Sequence, residues 1–225
     1  GTHLRSVAAT AYGLYAWLVF GLLAVPTWAI TAFARKPAVG RVTVHLATRL
    51  FLHLIGMRVP RVSASRVPGK PHVLACNHAS YLDSVVLVAK RELDNHWFTR
   101  LFLRGLGTLF VERFSARQGA EDAQAMVAAL QGGQSLVVFP EGTFSREAGL
   151  RHFRMGAFVA AVGSGLPIAT AGLRGMRAVL RDKTRLPRHG KIEFELGATL
   201  VPTADGWQAA VRLRDQARSQ MLKLG

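Results

Sequence analysis

The segment Asn77-His78-Ala79-Ser80-Tyr81-Leu82-Asp83 sets an imidazole and a carboxylate five residues apart, directly after the apolar run His72-Val73-Leu74-Ala75-Cys76. The run reads as a buried strand and residues 81–90 as a helix, so the pair straddles a loop-to-helix junction. There the imidazole projects from the loop while the carboxylate lies one turn into the helix. A carboxylate so placed accepts from Nδ1–H, fixes the tautomer and leaves Nε2 as a general base. The same spacing is also met by a helix N-cap beside a surface histidine. On its own the pair leaves both readings open.

Three further segments carry polar chemistry: Gly107-Thr108-Leu109-Phe110-Val111-Glu112-Arg113, Phe139-Pro140-Glu141-Gly142-Thr143 and Leu166-Pro167-Ile168. Singly, each has a plain alternative: a surface ion pair for Arg113, a strand-ending turn for Pro140-Glu141-Gly142, a turn proline for Pro167. Together, in this order over about residues 70–170, the four resemble the signature blocks of the glycerophospholipid acyltransferases. That family includes the 1-acylglycerol-3-phosphate acyltransferases.

The resemblance implies transfer of a fatty acyl group from a thioester, acyl-CoA or acyl-acyl carrier protein, to the sn-2 hydroxyl of lysophosphatidic acid, giving phosphatidic acid. His78 becomes the base that deprotonates the attacking hydroxyl, and an unperturbed imidazole, near ~6.5, suits that task at neutral pH. Asp83 orients it, as the acid does in a serine-protease triad. Substrate contacts fall to Asn77, Gly107, Phe110, Arg113, Glu141, Gly142, Thr143, Arg146 and Pro167. Arg113 grips the acceptor phosphate through its guanidinium fork, and Glu141 and Thr143 hydrogen-bond glycerol hydroxyls or phosphate. Pro167 shapes the acyl-donor edge. The hydroxyl is itself the nucleophile and the thiolate leaves readily, so neither cofactor nor metal is expected. One position departs from the family: Phe144 stands where an arginine often follows Glu-Gly-Thr, with Arg146 two residues on. That departure bears on the acceptor headgroup more than on the reaction, and keeps another lysophospholipid or a lyso-aminolipid in view.

The elements that must hold these residues alternate. Strand-like runs at 72–76, 108–111, 135–139, 168–173 and 192–196 are interleaved with helical stretches at 81–90, 116–130, 154–162 and 205–222. Gly132-Gly133 supplies a helix stop. The expected fold is α/β, a mixed, largely parallel sheet flanked by helices, with the acyltransferase domain over residues 58–225.

Residues 1–57 read differently. No charge separates Arg5 from Arg35, a stretch longer than the ~20 residues that cross a hydrocarbon core, with Pro26 interrupting it. Residues 39–54 follow as an amphipathic segment, so the expectation is an N-terminal hydrophobic helical hairpin. The balance of 29 Lys+Arg against 13 Asp+Glu, a net +16, calls for an anionic partner. Because the arginines are dispersed and the front end is apolar, that partner is expected to be an anionic membrane surface, at the cytoplasmic face of the cell membrane, and not nucleic acid. Half of the residues are hydrophobic, which excludes a disordered chain. The lone Cys76 excludes an intrachain disulfide. A competing reading of another class is a non-catalytic basic module, for which Gly172-Leu173-Arg174-Gly175 offers a G-x-x-G match. A serine hydrolase is not favoured, since Gly163-Ser164-Gly165 lacks the G-x-S-x-G spacing.

Overall fold

The computed structural model describes residues 2–58, 71–76, 85–90, 96–111, 116–141, 150, 152–179 and 186–224. Two helices open the chain, α1 (Thr2–Ala32) and α2 (Pro37–Leu54). Helix α1 continues through Pro26, and α2 starts with Pro37 at its first turn, where the missing N–H costs nothing. The α/β part then follows as β1 (Val73–Cys76), β2 (Val85–Lys90), α3 (Trp97–Gly105), β3 (Leu109–Val111), α4 (Ala116–Gln131) and β4 (Ser135–Val138). It closes with α5 (Gly156–Ser164), β5 (Ile168–Arg174), α6 (Met176–Val179), β6 (Glu193–Leu200) and α7 (Gly206–Leu224).

The six strands form one sheet in the order β3-β2-β4-β1-β5-β6. All neighbours are parallel except the β5–β6 pair. The mixed, largely parallel sheet is therefore present as expected. Its central strands are buried on both faces, which is why they read as unbroken apolar runs. Val73 and Ala75 of β1, with Leu136 and Val138 of β4, face one core under α4, α5 and α7, around Phe158, Leu130, Leu213 and Met221. Leu74, Cys76 and Val137 face the other, with Ala169, Ala171 and Leu196. This alternation is the period of two that a strand imposes.

Residues 85–90 correct the expectation of a helix over 81–90. They form β2, between β3 and β4. The run Val85-Val86-Leu87-Val88 explains the outcome, because β-branched side chains favour a pleated, packed surface over a helix. Asp83 thus stands two positions ahead of a strand, not one turn into a helix that reaches Lys90. Helix α3 was not anticipated from the sequence. Two arginines in nine residues mask its short apolar stripe, of which Leu103 is buried. The G-x-x-G stretch is no loop: Gly172 and Arg174 are ladder residues of β5, paired with Glu195 and Glu193.

The helical hairpin does not stand apart from the sheet domain. Gly40 of α2 and Gly105 of α3 lie so close to backbone that a Cβ at Gly40 would strike the Gly105 carbonyl, and one at Gly105 the Thr31 carbonyl. Val44, Leu103 and Leu106 are buried together beside this crossing. At the other end of the hairpin, the Tyr12 hydroxyl donates to the Ile55 carbonyl at 3.0 Å. Ala16, Val19, Ile55, Met57 and Val179 form a small core here.

Candidate active site

Strand register decides where the motif residues can meet. Ala75 of β1 is level with Val138 of β4, so Cys76 is level with Phe139 one position on. The chain leaves β1 into Asn77-His78 and leaves β4 into Pro140-Glu141, from adjacent parallel strands about 4.8 Å apart. Both exits are at the carboxyl edge of the sheet, where open α/β sheets form their ligand crevices. Pro140 ends β4 because it lacks an N–H for the ladder. It is buried, and its carbonyl accepts from the Arg154 N–H at 2.8 Å. That bond folds the segment carrying exposed His152 and Arg154 back beside half-buried Glu141, at the exit of β4.

The second block approaches the same edge from farther out. Leu109, Phe110 and Val111 of β3 pair with Val88, Ala89 and Lys90 of β2, and Val85 to Leu87 of β2 pair with Ser135 to Val137 of β4. Carried across, Phe110 is level with Phe139 and Cys76. β3 lies three strands over from β1, roughly 14 Å at the usual strand spacing, and Arg113 comes two residues after it in the sequence.

Not every predicted residue reaches this edge. Gly107 precedes β3 and closes α3: its N–H donates to the Arg104 carbonyl at 2.9 Å, and the Thr108 N–H to the Leu103 carbonyl at 3.0 Å. This is the Schellman arrangement, and the Gly107 φ of 73° is the left-handed conformation it demands. Gly107 packs against Pro37 and Arg41 of α2. Pro167 sits at the amino end of β5, where its carbonyl accepts from the Val73 N–H at 3.0 Å. Gly107 and Pro167 therefore lie at the entry side of their strands, away from the exits of β1 and β4. Asn77, His78, Asp83, Arg113, Gly142, Thr143, Phe144 and Arg146 lie outside the described residues, and Phe110 is placed by its backbone alone.

Two residues support the site without any signal in the local sequence. The Arg41 guanidinium donates from Nη1 to the Leu106 carbonyl at 3.0 Å, bracing the turn that feeds β3. Arg154 closes the exit of β4 through its backbone. Both bonds join distant parts of the chain, so spacing could not reveal them. Among the described residues, no three of His, Cys, Asp or Glu stand together as a metal site requires.

The fold has a solved counterpart. The crystal structure of the 1-acyl-sn-glycerophosphate acyltransferase PlsC from Thermotoga maritima aligns with 99% of this chain and 95% of its own at a TM-score of 0.65. At 17% identity that likeness concerns the fold. A family model described as Acyltransferase matches residues 58–174, a span that holds all four motif blocks. The chain belongs to the acyltransferase family.

Named relatives share acyl transfer and differ in the acceptor they are named for. A Mycoplasma pneumoniae protein called "Probable 1-acyl-sn-glycerol-3-phosphate acyltransferase" is 29% identical over 171 residues, 68% of this chain and 63% of its own. The 1-acyl-sn-glycerol-3-phosphate acyltransferase of Borreliella burgdorferi is 28% identical over 131 residues, 53% of this chain and 52% of its own. A lyso-ornithine lipid O-acyltransferase of Rhizobium meliloti is 31% identical over 128 residues, 53% of this chain and 43% of its own. The chain thus spans about half to two-thirds of the length of these first relatives.

Proposed function

We propose that this protein transfers a fatty acyl group from acyl-CoA or acyl-acyl carrier protein to the sn-2 hydroxyl of lysophosphatidic acid. The observation that carries the reading is the register of β1 and β4, whose adjacent ends at one edge of the sheet lead in sequence to Asn77-His78 and Pro140-Glu141, within the residues matched to the family.

In the proposed step, Nε2 of His78 takes the hydroxyl proton as the oxygen attacks the thioester carbonyl. Asp83 accepts from Nδ1–H and stabilises the imidazolium. The tetrahedral intermediate collapses, the C–S bond breaks, and the thiolate leaves and recovers the proton from the imidazolium. Ester and free thiol result, and the base is regenerated. Arg113 and Arg146 hold the acceptor's anionic headgroup, while Glu141 and Thr143 orient its glycerol. The reading sets the reaction at a membrane, and two features support it. Helix α1 offers a 26-residue apolar span, Val7–Ala32, of which only 17% of the most apolar window is buried, and the net charge of +16 favours an anionic cytoplasmic leaflet.

A second acceptor has a specific observation behind it. Phe144 replaces an expected arginine, and one relative is a lyso-ornithine lipid acyltransferase. A lyso-aminolipid carries less negative charge than lysophosphatidic acid and asks for fewer arginines.

The test is acyl transfer from labelled acyl-CoA and acyl-acyl carrier protein to a panel of lysolipids in detergent, with His78→Ala beside the unaltered protein. Transfer to lysophosphatidic acid that vanishes in the variant supports the reading. Preference for a lyso-aminolipid moves the acceptor. Folded protein that transfers to no acceptor from either donor overturns the reading.

A further inference from the structure

The sheet domain carries an exposed aromatic cluster that neither the reaction nor the core uses. Trp28 of α1 stacks on Phe98 of α3, with ring centroids 4.6 Å apart and planes within 4°. Trp97 and Phe33 meet Trp28 edge-on at 6.0 and 6.3 Å. The Trp28 indole N–H donates to the Phe98 carbonyl at 3.0 Å, so its one polar atom is already satisfied. Yet Trp97 is 67% exposed, Phe98 50% and Phe33 73%. Ordered, contiguous exposed rings mark a surface that is covered in use. We propose that the start of α3 is a third lipid-facing element beside the hairpin, with Trp97 and Phe98 seated in the headgroup layer of an anionic bilayer.

The choice of a bilayer over a protein partner rests on continuity and charge. Trp28 belongs to α1, whose exposed Leu22, Val25 and Ile30 extend the apolar surface away from the cluster. The turn after α1 carries exposed Arg35 and Lys36 beside Phe33, and α3 itself carries Arg100 and Arg104 without an acid. None of the chain's 13 acidic residues precedes Asp83. Aromatic rings with basic side chains just beyond them are the composition of a membrane–water interface. Since Gly107 closes α3 and β3 starts two residues later, holding α3 at the surface also holds the strand that leads to Arg113.

This extends the membrane reading above to an element outside the hairpin, and its test is independent of acyl transfer. The full chain is bound to phosphatidylcholine–phosphatidylglycerol vesicles containing lipids brominated either near the headgroup or deep in the chains. Tryptophan quenching is then compared between the unaltered protein and Trp97→Phe, a variant that keeps an aromatic ring in place. The expected result is a quenched component lost in Trp97→Phe, at least twofold stronger with the shallow label than with the deep one. Equal quenching of the two proteins, both sedimenting with the vesicles, would show Trp97 away from lipid and overturn the proposal. Failure of the unaltered protein to sediment with vesicles would overturn the membrane reading as a whole, whereas loss of sedimentation in Trp97→Phe alone would support the proposal.

Discussion

A histidine acting as general base contributes its rate effect only when its proton acceptor nitrogen is aimed at the substrate hydroxyl. His78→Ala is therefore expected to lower kcat by about 10²–10⁴-fold with folding intact, read from initial rates and circular dichroism. Asp83→Asn separates orientation from proton transfer. If Asp83 accepts from Nδ1–H, the amide favours the wrong tautomer, and kcat falls while KM for both substrates stays within about twofold. An unchanged kcat would remove Asp83 from the step. The variant is decisive because β2 begins with Val85 level with Ser135, at the entry side of the sheet, whereas the chain leaves β1 toward His78 at the exit side, with β4 between the two strands.

Helices α2 and α3 meet the second motif block through contacts that leave no room for adjustment. At Gly105 an added methyl would be driven into the Thr31 backbone, which cannot move without displacing α1. Gly105→Ala is expected to destabilise the protein by about 1–3 kcal/mol, measured by thermal unfolding in detergent, whereas Gly21→Ala, with open space around it inside helix α1, does not lower the midpoint. Arg41 acts on the same junction by hydrogen bonding. Its loss frees the Leu106 carbonyl and the Gly107 turn, so Arg41→Ala should raise KM for the lysolipid several-fold more than it lowers kcat. Arg41→Lys, lacking the fork but keeping the charge, should recover only part of this. Equal effects of both variants on every parameter would indicate general destabilisation instead.

For the whole molecule, the hairpin behaves as part of the fold. It meets α3 and the turn before β3 near Thr31 and Pro37, and the segment around Val179 and Leu186 near Tyr12 and Gly13. Residues 12 to 31 of a helix span roughly 28 Å, comparable to the roughly 24 Å width of six paired strands, so α1 reaches between elements at opposite ends of the strand order. A fragment of residues 58–225 would uncover Leu103, Leu106 and Phe98 along with the close approach at Gly105. It is expected to aggregate or to melt at clearly lower temperature than the full chain, as read by size exclusion and calorimetry. A monomeric fragment with an unchanged melting profile would show that the two parts are independent units.

Local pattern determined much of this protein. Apolar runs long enough for one buried strand, the glycine stop after α4, the charge-free first helix and the four ordered motif blocks are all properties of neighbouring residues, and they were legible as such. The class of chemistry followed from the resemblance that those blocks, taken together, bear to the acyltransferase family. Tertiary structure alone decided the rest. Residues 85–90 became a strand because the sheet offers them a place between β3 and β4, and short α3 formed because Leu103 and Leu106 pack on Val44. Register put the exits of β1 and β4 on one edge, and sent Gly107 and Pro167 to the entry side of their strands. The Arg41 and Arg154 bonds and the Trp28–Phe98 stack join segments far apart in the chain. Such contacts depend on where whole elements sit, and no spacing along the sequence encodes that.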